Sequence, residues 1–212
     1  ETEHEPSRER FVERALSVNE ALGNPAGIVN DLDYLGQLSL ATGDVEAAAA
    51  SFQRGLSLAE DVRFRLRIPY QKTQLARVRL AQGRAEDATT LAHEGLLVAE
   101  ELGQRALQPE ALELLGRATS DEGERTRHLL RALTLSHALG EVPRILDVLI
   151  GFAQLPAPAI EARVLLRHVT EHPAARPAQR SHAQSLLDAH TRPPYPDAPL
   201  PALEDTVRRL LA

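Results

Sequence analysis

The sequence predicts an all-α fold, a stack of antiparallel helical hairpins. Three observations predict it. Leu35-Gly36, Leu75-Ala76 and Leu115-Gly116 recur at intervals of 40 residues. Single glycines and prolines punctuate the same register instead of clustering. The apolar residues are almost all Leu, Ala, Val and Ile: 43% of the chain is hydrophobic, only 3% is aromatic, and Trp, Cys and Met are absent. Ala and Leu lose little entropy on becoming helical, and small residues let helices approach closely.

The elements follow in order. A half repeat at 7–23 holds one helix (7–22) that aligns with the second helix of a hairpin, with Phe11, Ala15 and Leu16 on its inner face. Such a helix without its partner leaves an apolar surface uncovered, so the natural protein is expected to continue upstream of Glu1, and self-association through this N-terminal face is favoured. The first full repeat, 24–63, holds helices 25–42 and 44–61. Pro25 stands where a missing N–H costs nothing. Gly43 ends the first helix in the left-handed conformation, and Asp44 caps the second. Ala48, Phe52 and Gly55 face the first helix.

Repeat 64–103 holds helices 64–82 and 84–102, with Gly83 as the break and Ala88, Ala92 and Gly95 on the inner face. Pro69 fits this helix least well, since Arg63 to Tyr70 reads as already helical. Repeat 104–140 holds helices 105–119 and 121–138, starting near Pro109, with Gly123 in the register of Gly43 and Gly83. Leu139-Gly140 follows Leu102-Gly103 by 37 residues, so this hairpin is about three residues short. A degenerate repeat, 141–173, holds helices 143–155 and 157–171, with Pro143 near its start and Phe152-Ala153 in the Leu-Gly place. An extra helix spans 176–190. Residues 192–201 contain five prolines and read as a stiff connector. A last amphipathic helix, within 199–212, is expected to fold back and cap the open end of the stack from 202 onward. One hairpin cannot bury its apolar face, so the units must stack.

Composition excludes several functions. Without Cys there is no disulfide or thiolate metal site. The charged N-terminus is no signal peptide, and no apolar run approaches the ~20 residues that span a bilayer. A cytoplasmic protein without membrane association is therefore expected. The net charge of −6 disfavours direct nucleic-acid binding. Lys72 is the sole lysine among 24 basic residues, which reads as the codon bias of a GC-rich bacterial genome. No phosphate loop, GxGxxG, GxSxG or HExxH occurs, so no enzyme activity and no cofactor are expected.

Leu32, Leu35, Gly36, Ala48, Phe52 and Gly55 stand at the spacings of the tetratricopeptide (TPR) consensus, and Leu75, Ala76, Ala88 and Gly95 repeat them. The chain thus resembles TPR proteins, although its period is about 40 instead of 34 and the usual aromatic residues and closing Pro are missing. The resemblance implies a right-handed superhelix. Phrases such as LGQLSLATGDVEAAAASFQRGLSLAED, and the tail HPAARPAQRSHAQSLLDAH, are similar to the C-terminal repeats of bacterial STAND, LuxR-type and AfsR-like regulators. That resemblance implies a ligand- or partner-sensing domain, the C-terminal fragment of a transcriptional or signal-transduction regulator. The alternative is a passive protein–protein scaffold or self-association module. Partners are then a protein, a peptide, other domains of the same chain, or a small polar ligand.

By the same resemblance the first helices line a concave groove. Its residues would be Asn30, Asp33 and Gln37; Tyr70, Thr73, Gln74 and Arg77; Glu110, Glu113 and Arg117; and Asp147 and Gln154. These suit hydrogen-bonding recognition, or they simply face water. A basic strip, Arg63, Arg65, Arg67, Lys72, Arg77, Arg79 and Arg84, contains no acid. It reads either as a receptor for an acidic peptide or phosphate, or as a solvated face balanced by Asp61, Glu86, Glu94, Glu100 and Glu101 on adjacent helices. His168 and His172 have the i, i+4 spacing of two metal ligands, with His182 a further candidate. Two histidines do not close a site, and a helix-end role complementing the dipole serves them better. No metal is expected.

Overall fold

The computed structural model describes residues 5–156, 159–189 and 200–212, which form helices and no strand. The helices are α1 (Glu5–Ala21), α2 (Pro25–Thr42), α3 (Val45–Asp61), α4 (Ile68–Ala81), α5 (Ala85–Glu101), α6 (Gln108–Ala118), α7 (Glu122–Leu139), α8 (Val142–Ala153), α9 (Ala159–Glu171), α10 (Pro177–Ala189) and α11 (Leu203–Leu211). They fall into two compact units, Glu1–Leu107 and Gln108–Ala212. In the first, α2 packs on α3 and α4 on α5, while α1 packs on α2 and α3 on α4. In the second, α6–α7 and α8–α9 are the hairpins, α7 packs on α8, and α10 adds to α9. Each unit is thus a stack of helical hairpins.

The caps explain the boundaries. Asn24, Asp44 and Asp121 each accept a hydrogen bond from the third backbone N–H beyond them, at 3.2, 2.9 and 2.7 Å. Gly43 (φ 82°) and Gly83 (φ 74°) end α2 and α4 in the left-handed region. At the end of α3 that role falls to a non-glycine, Arg63 (φ 57°), with Phe64 N–H bonding Ala59 C=O at 2.7 Å and Arg63 N–H bonding Glu60 C=O at 3.0 Å. The chain then turns once before α4. Consequently α4 begins at Ile68, not near 64, and Pro69 lies in its first turn, where its lack of an N–H is harmless. Gly103 (φ 66°) delays α6 to Gln108 in the same way.

Gly123 is not a helix terminator. It lies inside α7, after the cap Asp121, and is not among the left-handed glycines. Gly116 keeps the 40-residue register and Asp121 falls three residues early, so the shortening of this hairpin removes the last turn of α6. Ser120 thereby takes the place of Gly83, and Leu129 takes the place of Phe52 and Ala92.

Core packing follows this register. Ala48, Phe52, Leu56, Leu75 and Val78 form a buried cluster, with Leu40, Ile68 and Leu91 packed against it. Gly36 lies under the Phe52 ring: a Cβ there would stand 2.6 Å from the ring. In the second unit Gly116 and Gly151 both face Leu129. On α1, Ala15 and Leu16 are half-buried, but Phe11 is 74% exposed. Phe11 therefore leaves the expected inner face, because Val12, one residue later, holds the Phe52 position.

The helix α11 packs against α7 and buries Thr206 and Val207. It reaches α9 through His168 Nε2 and Thr206 Oγ1, 2.8 Å apart, and α7 through His137 and Glu204, 3.6 Å apart. The expected Pro-rich connector falls mainly on 190–199, outside the described residues. Burial pushes the His168 imidazole below its ordinary 6.5; Glu171 opposes this, while His172, Arg167 and Arg209 add to it. A lowered folded value means that the unfolded chain binds more protons just below pH 6.5, so stability is lost as pH falls through that range. Titration of the His168 ring by NMR is expected to show a midpoint below 6.5, with faster exchange of the α11 amides, corrected for intrinsic rates, at pH 5 than at pH 7.

Candidate functional site

The first helices α2 and α4 carry a polar row because one face of each is left over after packing on its own second helix and on the preceding one. In the first unit Gln37 is exposed and Tyr70 half-buried, and Gln37 Nε2 donates to Tyr70 Oη at 2.8 Å, joining consecutive first helices. Asn30 and Arg77 are half-buried. Thr73 and Gln74 are buried, and Thr73 Oγ1 donates to Pro69 C=O at 2.8 Å. These two belong to the helix packing more than to an accessible face.

Asp33 is 4% exposed. Gln71, which sequence reasoning did not single out, is fully buried and donates to Asp33 from Nε2. Gln71 reaches Asp33 because Gly55 of α3 has no Cβ; one there would stand 2.7 Å from the Gln71 amide nitrogen. The Arg67 guanidinium lies 3.5 Å from Asp33 Oδ2. Burial pushes the Asp33 carboxyl up to about 6, against the lowering influence of Arg67 and of the Gln71 bond.

The second unit answers its acids more completely. Glu110 and Glu113 are both 5% exposed; Glu110 meets Arg144 of α8 at 2.9 Å and Glu113 meets Arg117 at 3.4 Å. Asp147 accepts from Arg176 at 2.6 Å and from Gln179 at 2.7 Å, with Arg144 at 3.5 Å. The pairs Arg144–Glu110, Arg176–Asp147 and Gln179–Asp147 were not legible, since their members lie 29 to 34 residues apart. Gln154 is exposed and, with Arg117, Arg125 and Leu129, lines a cavity of about 40 Å³ above Gly116 and Gly151.

The basic strip is threaded with acids from neighbouring helices. Arg65 meets Glu101 at 2.8 Å, Lys72 meets Glu94 at 2.6 Å and Glu60 at 3.8 Å, and Arg84 meets Asp87 at 2.5 Å. Arg79 donates to Gln82 at 2.8 Å, and Arg63 is exposed. Pairs as exposed as Arg65–Glu101 and Arg84–Asp87 contribute little, typically under about 1 kcal/mol. Of the histidines, His168 faces Thr206, His172 Nδ1 accepts from Ala174 N–H at 3.1 Å, and His182 is exposed on α10. Among the described residues no three His, Cys, Asp or Glu side chains are grouped to hold a metal ion. No described helix is long and apolar enough to cross a membrane.

No family model matches the sequence, and no curated protein matches it. Among solved structures the fold is similar to the crystal structure of BtubC (BKLC) from P. vanneervenii, with a TM-score of 0.64 and 14% identity, over 96% of this chain and 98% of that one. This likeness overturns the expected assignment to a fragment of a bacterial transcriptional regulator. The shared stack spans nearly all of that chain, so the likeness carries helical hairpins and no feature of a regulator. The TPR-like phrases that suggested a regulator report hairpin packing, which any stack of this kind requires. The comparison and the geometry agree on the fold: this chain is a TPR-like stack of helical hairpins.

Proposed function

We propose that the chain is a non-catalytic protein–protein interaction scaffold of the cytoplasm that receives a protein or peptide partner on its first-helix face. The carrying observation is the Gln37–Tyr70 bridge, which holds polar side chains of α2 and α4 in one fixed row. Preorganised polar groups on rigid helices recognise a partner without a large ordering cost. The likeness to BtubC supports the helical-hairpin fold on which this reading rests.

Photo-cross-linking tests this. A benzophenone side chain placed at Gln37 or at Arg77 is expected to capture the same polypeptide in the native cell. The same group at Gln53 or His93, exposed on α3 and α5, is expected not to. Adducts confined to the second-helix positions would place the binding face elsewhere.

A second reading, self-association through α1, is favoured by Phe11, Val18 and Leu22, which are 74%, 57% and 74% exposed. Sedimentation velocity decides it. If α1 pairs with a second copy, Phe11→Glu with Leu22→Glu converts a concentration-dependent dimer to a monomer; a wild-type chain that is monomeric throughout removes this reading.

A further inference from the structure

Three buried oxygen atoms on α2 and α4 have no hydrogen-bond donor: Asn30 Oδ1, Asp33 Oδ2 and Gln71 Oε1. They are contiguous. Asn30 and Asp33 are one helical turn apart on α2, and Gln71 bonds Asp33 directly. All three are acceptors, and one belongs to a carboxyl group. Buried polar atoms are nearly always paired, so a cluster of unpaired atoms of one kind calls for an explanation.

The nearest cation does not supply it. Arg67 Nη1 stands 3.5 Å from Asp33 Oδ2, whereas a charge-assisted hydrogen bond is ~2.8 Å long. The Arg67 side chain is also 34% exposed, so water already solvates it in part. Outward rotation of Arg67 would open the cluster, at the cost of its attraction to Asp33. The cluster lies beside the Gln37–Tyr70 bridge, on the face assigned above to the partner.

We propose that Asn30, Asp33 and Gln71 form a subsite for the guanidinium of an arginine on the partner protein, with Arg67 occupying its mouth in the free chain. This rests on the scaffold reading and adds to it the chemistry of one contact. A guanidinium carries five N–H donors in a planar fork and a positive charge, so it can serve several acceptors at once. A phosphate or carboxylate would meet only like polarity. A hydroxyl would satisfy one acceptor and leave the others unpaired. Burial raises the Asp33 carboxyl in spite of Arg67 and the Gln71 bond, in keeping with a carboxyl that a further cation would favour.

The test needs no partner, so its failure would leave the cross-linking result untouched. The full chain is labelled with ¹³C at aspartate carboxyls, and Asp33 is titrated by NMR in arginine amide and in sodium chloride at equal ionic strength. In sodium chloride the midpoint is expected near 6. In arginine amide it is expected to fall by about one unit or more toward the ordinary 3.8, because a bound cation favours the carboxylate. In Arg67→Gln, which removes the resident cation, the arginine-amide shift is expected to grow. Equal midpoints in the two salts would overturn the proposal, and so would a shift that vanishes in Arg67→Gln. An equal shift with lysine amide would overturn the choice of guanidinium.

Discussion

Asp33→Asn is expected to stabilise the first unit at neutral pH and to flatten its stability between about pH 4 and 6. The folded-state value of Asp33 is raised from 3.8 to about 6. Between those values the native chain binds more protons than the unfolded one. The contribution of Asp33 is therefore favourable below about pH 4 and is lost as pH rises through 6. A shift of about two units corresponds to roughly 3 kcal/mol at most. Asparagine keeps the shape and the acceptor that Gln71 uses, removes the buried charge, and offers an N–H toward Gln71 Oε1, which now has no partner. It forfeits the attraction to Arg67, so the expected net gain at pH 7 is about 1–2 kcal/mol. The measurement is amide hydrogen exchange in α2 and α4 at pH 5 and 7, which reports the first unit separately from the second. Lower protection at pH 7 than in the wild type would mean that the Arg67 pair outweighs desolvation, and an unchanged pH dependence would mean that Asp33 is not its source.

The fold was legible because its signals are local. A glycine after a helix, an Asp or Asn before one, and a Pro in a first turn each act within a few residues, and they repeat at 40. Gly123 keeps the register of Gly43 and Gly83 without ending a helix, because loss of the last turn of α6 moved the break to Ser120, where the expected bounds 105–119 and 121–138 also put it. Phe11 misled. An aromatic residue is conspicuous, but Val12 holds the core position. The site was less legible. Helical spacing identifies which residues share a face, and of the polar residues it grouped Gln37 and Tyr70 meet in a hydrogen bond. It cannot show how deeply a face is covered. Thr73, Gln74, Glu110 and Glu113 sit where helices flank a first helix, so polar residues expected in an open groove are buried instead. Nor does spacing reveal partners, since Gln71 lies 38 residues from Asp33 and Arg144 lies 34 from Glu110.

Gly36→Ala is expected to destabilise the first unit, and Phe52→Leu is expected to rescue it. The added Cβ would lie 2.6–2.7 Å from three atoms of the Phe52 ring, which is fully buried. A flat ring packed on all sides cannot retreat as the end of a flexible chain can, so overpacking of about 1–3 kcal/mol is expected. Alanine recovers up to ~1 kcal/mol in helix propensity, which leaves a net loss of about 1–2 kcal/mol. Phe52→Leu alone leaves a void and costs a comparable amount. Together the two changes should cost less than their sum by about 1 kcal/mol or more, because the methyl group fills space the ring vacates. The repeats already contain such exchanges. Gly36 is matched with Phe52, Ala76 with Ala92, and Gly116 with Leu129, where a Cβ at Gly116 would have 3.2 Å to the Leu129 side chain. A double-mutant cycle by chemical denaturation measures the coupling. Strict additivity would mean that α2 and α3 move apart to admit the methyl group, and that this contact does not set the spacing of the hairpin.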